Sequence, residues 1–92
     1  MNGVIEIRVP LADYGPTRLK SRAVADSVLE DVGRAREIVL DFTGIGQIGP
    51  AFADEIFHVY AEAHPGVHLS YMNAAPDVRR EIKKAVAHRH AN

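Results

Sequence analysis

The chain has 92 residues, of which 47% are hydrophobic and 25% charged, and its formal net charge is −1. These values are typical of one small globular domain and give no overall preference for nucleic acid or for acidic lipid. The absence of cysteine excludes disulfides, thiolate metal sites and a cysteine nucleophile, and it agrees with a cytoplasmic location. No apolar run approaches the ~18 residues of a membrane span, and residues 1–3 lead into a strand pattern rather than a signal peptide.

The first predicted element is a half-buried strand over residues 4–9. Apolar and polar residues alternate there, which places on one face Ile5, Ile7 and Val9. Pro10 cannot donate to a sheet and ends the strand. Residues 11–16 are rich in turn-forming residues and predict a connection, with room for a short edge strand.

The second predicted element is a helix. Thr17 has the side chain of an N-cap, and the helix is expected to run to about Val32 and to end at Gly33. Its buried stripe is predicted to be Ala25, Val28, Leu29 and Val32.

Residues 37–42 form a nearly continuous apolar run, typical of a central strand covered on both faces. Asp41 lies near the end of this run, where a carboxylate without partners would be costly. We expect it to accept hydrogen bonds from amides of the glycine-rich loop that follows, which is a structural role. The alternative is an acid–base pair with Asp54.

The loop after this strand, Gly44-Ile45-Gly46-Gln47-Ile48-Gly49, matches the dinucleotide pattern G-x-G-x-x-G. Two features argue against a nucleotide. Pro50 follows at once, so all three glycines precede the helix, and the place of the ribose-binding acid holds Asn73. We therefore predict that no cofactor binds this loop. The glycines instead allow positive φ values in the turn and let the loop backbone pass close to the end of the sheet.

The second helix is predicted to begin at Pro50 and to end near residues 64–66. Its α-helical spacing gives a core stripe of Phe52, Ile56, Val59, Tyr60 and Ala63. Phe57 falls off this stripe, so that it either packs beneath the third helix or is an exposed anchor for a partner.

A third strand is predicted over residues 67–72, followed by a third helix that begins at Pro76. Its inward residues are Val78, Ile82, Ala85 and Val86, and residues 87–92 are expected to fray. The alternation of strands and helices predicts an α/β domain over residues 1–92, with a core of about 4–86. The sheet is expected to be mixed or mostly parallel, with three or four strands packed by about three helices.

Asp54, Glu55 and His58 lie on one side of the second helix. They can complement the helix dipole, form a partner surface, or bind a metal together with His64 or His68. The metal alternative is the weakest of the three, and we predict no metal. The third helix carries five cations that would suit nucleic acid: Arg79, Arg80, Lys83, Lys84 and Arg89. No aromatic residues interleave with them, which favours a helix face that is simply exposed to solvent.

Residues 37–57, "EIVLDFTGIGQIGPAFADEIF", resemble the strand–loop–helix core of STAS domains, the fold of bacterial anti-sigma-factor antagonists. They resemble still more a STAS-like family of unknown function, through Leu-Asp-Phe, a glycine turn and Phe-Ala-Asp-Glu. Ser21-Arg22, His64-Pro65 and Met72-Asn73-Ala74 extend the resemblance. It implies a bacterial protein whose partner is an ATPase of the histidine-kinase-like class, or a signalling or defence protein.

The chain departs from partner-switching STAS proteins at one place. Where those proteins carry a serine that a kinase phosphorylates, this sequence reads Gly49-Pro50-Ala51, and Thr43 lies on the other side of the loop. The resemblance therefore implies a STAS-type surface for binding a protein partner. It does not imply the usual phosphorylation switch, because the serine that would accept the phosphate is missing.

We expect a non-catalytic regulatory module that binds a protein, binds neither nucleic acid nor membrane, and is compatible with a homo-oligomer. The predicted partner surface consists of Gly46, Gly49, Asp54, Glu55 and His58. The predicted structural set consists of Asp41, Gly44, Pro50 and Phe52. Two alternatives stay open: a small metal- or acid/base-dependent enzyme that uses Asp41, Asp54, Glu55 and His58, and nucleic-acid binding by the third helix.

Overall fold

The computed structural model describes residues 5–89. The predictions for residues 1–4, including Val4 as the first strand residue, and for residues 90–92 of the tail lie outside the described residues. The elements are β1 (Glu6–Pro10), a 3-10 turn (Leu11–Tyr14), α1 (Arg22–Val32), β2 (Glu37–Asp41), α2 (50–63), β3 (His68–Met72) and α3 (Pro76–Arg89). The predicted α/β class is confirmed. No helix within residues 5–89 has the length and apolar character to span a bilayer.

The sheet has three parallel strands in the order β1-β2-β3, with β2 in the centre. Each connection between neighbouring strands carries a helix, which is the crossover that parallel pairing needs. Residues 11–16 hold the 3-10 turn instead of the edge strand for which the sequence left room.

The helices cover one face of the sheet. In register across the strands, that face carries Ile7, Ile38 and Leu69 in one row and Val9, Leu40 and Tyr71 in the next. The opposite face carries Arg8, Val39 and Ser70, and Val39 is only half-buried. The prediction that β2 is covered on both faces is therefore wrong. Ile5, predicted to be inward, is 61% exposed because it lies before the first paired residue of β1.

Helix α1 begins later than the sequence predicts. Its N-cap is Ser21, whose hydroxyl accepts a hydrogen bond from the Val24 amide at 3.1 Å, and not Thr17. The residues before Ser21 form turns, and fully buried Leu19 holds this segment on the core. The predicted buried stripe of α1 is confirmed. Ala25, Val28 and Val32 are buried, and Leu29 is half-buried.

Helix α2 begins at Pro50 as predicted, but it is α-helical only at its two ends. The middle stretch, Glu55–Tyr60, is π-helical. A π-helix bonds from residue i to i+5 and so turns less per residue than an α-helix, which shifts every later side chain around the axis. Phe57 is consequently 5% exposed, whereas Val59, predicted to be in the core, is 43% exposed. Phe52 and Ile56 are buried as predicted; Tyr60 is half-buried, and Ala63 is exposed.

Helix α2 lies between α1 and α3 and packs against both. Three of the residues predicted to face inward on helix α3 are buried, namely Val78, Ile82 and Ala85. The fourth, Val86, is half-buried. It continues to Arg89, so that residues 87–89, predicted to fray, are helical. This extension brings the last turn of α3 beside α2.

Candidate functional site

Asp41 joins the ends of all three strands. Its Oδ1 accepts hydrogen bonds from the Thr43 amide at 3.0 Å, the Thr43 hydroxyl at 2.6 Å and Asn73 Nδ2 at 3.1 Å. Its Oδ2 pairs with the Arg8 guanidinium at 3.0 Å. Hydrogen bonds from Thr43 and then from Asn73 hold the pKa of the Asp41 carboxyl well below its usual range.

These contacts give Asp41 the geometry of a structural residue. We expected amides of the glycine loop as its partners, but the one amide that takes part is that of Thr43, which precedes Gly44. Asn73, which has a left-handed φ of 59°, supplies the link to the strand beyond. Asp41 and Asp54 share no hydrogen-bond partner among residues 5–89, so the structure does not join them as an acid–base pair.

The loop glycines differ in what surrounds them. Gly44 has a φ of +82°, which side chains rarely adopt. A Cβ on Gly49 would lie 2.7 Å from the Lys20 carbonyl oxygen, and the Gly49 amide donates to the Leu19 carbonyl at 2.9 Å. A Cβ on Gly46 would meet nothing within 4 Å. Gly49 thus packs against its own chain, while Gly46 leaves backbone accessible from outside.

The start of α2 carries a network centred on Asp54. Arg22 of α1 pairs with Asp54 Oδ2 at 2.9 Å and with Glu55 Oε1 at 3.0 Å. On the other side, Asp54 Oδ1 lies 2.8 Å from His58 Nδ1 and 3.2 Å from His88 Nδ1. The side chains of Asp54 and Glu55 are 17% and 19% exposed, so both charges are half-buried and paired with Arg22.

The environment of Asp54 favours its ionised form. Burial raises the pKa of this carboxyl, but hydrogen bonds from His58, Arg22 and His88 outweigh burial and lower the pKa to about 2. Asp54 therefore stays charged through the physiological range and holds α2 to both neighbouring helices.

His88 is the residue of this network that the sequence reasoning missed. It was assigned to a frayed tail, whereas the inward positions of α3, continued by three residues from Ala85, would have placed it beside α2. Neither His64 nor His68, the predicted alternatives, joins the network within residues 5–89. His64 stacks on Tyr60, with ring centroids 4.1 Å apart, and His68 is exposed on β3.

A groove of about 440 Å³ lies between α1 and α2, and we call it the α1–α2 groove. Its acidic lining comes from Asp26, Glu30 and Glu55, and its apolar lining from Leu29, Val59 and Ala63. Glu55 pairs with Arg22, but within residues 5–89 Asp26 and Glu30 have no ion-pair partner. The α1–α2 groove therefore combines unneutralised negative charge with an exposed apolar strip.

The basic face of α3 is partly neutralised by its own acids. Arg80 pairs with Asp77 at 2.9 Å, and Lys84 lies 3.4 Å from Glu81. Arg79 donates to the Ala74 carbonyl at 2.8 Å. These contacts leave α3 with fewer free cations than its sequence suggests and do not favour nucleic-acid binding.

The family model described as a STAS-like domain of unknown function matches residues 7–79. This span includes α1, α2, β2, β3, all of β1 except Glu6, and the Asp54–His58 pair, and it ends before His88. No curated protein and no solved structure matches the chain. The match covers most of the chain and confirms the resemblance inferred from the residues: the chain belongs to this STAS-like family.

Proposed function

We propose that this STAS-like domain is a protein-interaction module without catalysis of its own, and that it binds a cationic segment of a protein partner in the α1–α2 groove. The observation that carries the proposal is the pair Asp26 and Glu30, unneutralised within residues 5–89, beside the exposed Val59. Two acids at i and i+4 on one helix repel each other and destabilise it. A partner cation would remove that cost.

The groove fits a known mode of recognition. An amphipathic segment can lay its apolar side on Leu29, Val59 and Ala63 while its cations reach the acids of α1. Complementary charge increases the rate of association and selects against acidic partners. The family resemblance suggests an ATPase of the histidine-kinase-like class, or another signalling or defence protein, as the source of the segment.

The surface predicted from sequence adjoins this groove. Glu55 lines the groove, and Asp54 and His58 lie on the adjacent side of α2. Gly46 leaves accessible backbone in the loop before α2, whereas Gly49 is packed against Lys20. We therefore place the centre of the partner surface at the groove and keep Gly46, Glu55 and His58 at its edge.

The test uses two charge-reversed variants. The intact chain is used to capture partners from a lysate of the source organism, and the purified partner is then titrated calorimetrically with each protein. Asp26→Lys with Glu30→Lys should weaken binding at least ~tenfold, because two close charge pairs across an interface become repulsive. The matched control, Arg79→Glu with Arg80→Glu on α3, should leave affinity unchanged. Equal affinity of all three proteins would exclude the groove, and loss in the control alone would place the interface on α3.

A further inference from the structure

Three metal-ligating atoms from two helices converge beside α2. They are Asp54 Oδ1, His58 Nδ1 and His88 Nδ1, and all lie within 4.8 Å of one another. Both imidazole nitrogens approach the same carboxylate oxygen, at 2.8 Å and 3.2 Å. Ligands of a tetrahedral zinc ion, bound at ~2.0–2.1 Å, lie about 3.3 Å apart. The two separations that involve Asp54 are near this value, and the two imidazole nitrogens lie within 4.8 Å of each other.

Both ring nitrogens of His58 face carboxylates. Its Nδ1 faces Asp54, and its Nε2 lies 3.6 Å from Glu62 Oε2. A neutral ring carries one N–H, and so it can offer a proton to only one of these two carboxylates. With a cation bound at Nδ1, the ring proton resides on Nε2 and faces Glu62. A carboxylate behind a ligating histidine is the usual arrangement at protein metal sites.

The local charge points the same way. Asp54 and Glu62 face the His58 ring, and the Arg22 guanidinium is shared between Asp54 and the neighbouring Glu55. With neutral imidazoles this group carries a net negative charge. Arg22 contacts Asp54 through Oδ2 and so holds the carboxylate while leaving Oδ1 directed at the histidines.

We propose that Asp54, His58 and His88 bind a divalent transition-metal ion, with zinc the best fit to two imidazoles and one carboxylate. The three ligands leave a fourth position for water, and the 62% exposed side chain of His88 gives the ion access from solvent. The bound ion cross-links α2 to the last turn of α3. His88 lies beyond residues 7–79, the span that the family model matches. It revises our expectation from sequence that no metal binds.

The test is a titration of the full, untagged 92-residue chain with Zn²⁺ by calorimetry, repeated with Co²⁺ to read its absorption spectrum. We expect one saturable site and an intense visible Co²⁺ spectrum of a tetrahedral nitrogen–oxygen site. His88→Ala should weaken binding at least ~tenfold, since the loss of supporting residues alone commonly costs that much. The matched control is His68→Ala, an exposed histidine outside the network.

Folding and binding are separated by a second measurement. The His88 side chain is 62% exposed, so loss of its contact with Asp54 should lower the melting temperature of the metal-free protein only slightly. Zn²⁺ should raise the melting temperature of the wild type and of His68→Ala, and not that of His88→Ala. Absence of saturable binding in the wild type would overturn the proposal and leave the network as a set of hydrogen bonds between helices. Stoichiometric binding that survives in His88→Ala, or that is lost in His68→Ala, would also overturn it.

Discussion

Phe57 of α2 and Tyr71 of β3 meet edge to face, with ring centroids 6.1 Å apart and ring planes at 88°. Tyr71 also meets Phe42 edge to face, at 6.3 Å. Such pairs contribute beyond the area that they bury. The contact exists because the π-helical stretch Glu55–Tyr60 turns Phe57 toward the sheet.

This geometry predicts that two neighbouring substitutions in α2 differ strongly in how far they lower the free energy of unfolding. Phe57→Ala should lower the free energy of unfolding by about 3–5 kcal/mol, as truncation of a buried aromatic residue does. Val59→Ala should change it by less than about 1 kcal/mol, because Val59 is 43% exposed. Urea unfolding of both variants measures the difference. A larger loss at Val59 than at Phe57 would mean that α2 has regular α-helical phase.

The start of α1 can be tested through its two candidate caps. Ser21→Ala removes the acceptor for the Val24 amide and should cost ~1 kcal/mol. Thr17→Ala should stay within about 0.5 kcal/mol, since Thr17 is exposed and precedes the helix. Thermal unfolding of the two variants provides the comparison. A greater loss in Thr17→Ala would restore the longer helix that the sequence predicted.

The loop glycines predict a second matched pair. Gly49→Ala places a methyl group 2.7 Å from the Lys20 carbonyl oxygen, so the backbone must shift and the melting temperature should fall clearly. Gly46→Ala meets open space at an ordinary φ and should be neutral or slightly stabilising, by reducing the entropy of the unfolded chain. Equal melting temperatures would contradict the close approach at Gly49.

Asp41 should make stability depend on pH below its ordinary pKa of 3.8. Because Thr43 and Asn73 depress this pKa in the folded state, the unfolded chain takes up the proton first as pH falls. The contribution of Asp41 is therefore fully present well above pH ~4 and is lost progressively below it.

The variant Asp41→Asn isolates this contribution. It should be less stable than the wild type at pH 7, and the difference in urea midpoint should shrink as pH falls toward about 3. Taking the difference cancels the other carboxylates, including Asp54. A difference that stays constant from pH 7 to pH 3 would show that Asp41 titrates normally in the folded protein.

Charge reversal at the start of α2 should affect folding, unlike reversal on α1. Asp54→Lys with Glu55→Lys places two cations against Arg22 and should lower the free energy of unfolding by at least ~1 kcal/mol. Asp26→Lys with Glu30→Lys breaks no ion pair within residues 5–89 and should leave the melting temperature nearly unchanged, because one like-charged pair at i and i+4 replaces another. The same thermal scan reads both. Equal stability of the two variants would mean that the Arg22 pairs contribute nothing in solution.

The order of strands and helices could be predicted from sequence because the apolar periodicity changes between two and 3.6 residues at clear turn signals. The phase of α2 could not, since the prediction assumed α-helical spacing and Val59 satisfies that spacing as well as Ile56 does. Packing against β3 determines that Phe57, and not Val59, faces the core. Helix propensities do not distinguish a π-helical stretch from an α-helical one.

The candidate site was predicted in part. Asp54, Glu55 and His58 were grouped correctly by their helical spacing, but their partners Arg22 and His88 lie more than thirty positions away in the sequence. Only the arrangement of α1 and α3 on either side of α2 brings them together. Asn73 as a partner of Asp41 could have been found, because the carboxyl ends of neighbouring parallel strands meet at one edge.

Because of the π-helical stretch, the number of residues in α2 determines which of its side chains face the core and which face solvent. Deleting one residue between Glu55 and Tyr60 would restore the tighter winding and rotate the end of the helix about its axis. Val59 would move toward the sheet, and Phe57 would turn away from Tyr71. Among homologous chains, an insertion or deletion in this stretch should therefore occur together with a different pattern of apolar residues in the second half of α2, a covariation that an alignment can reveal.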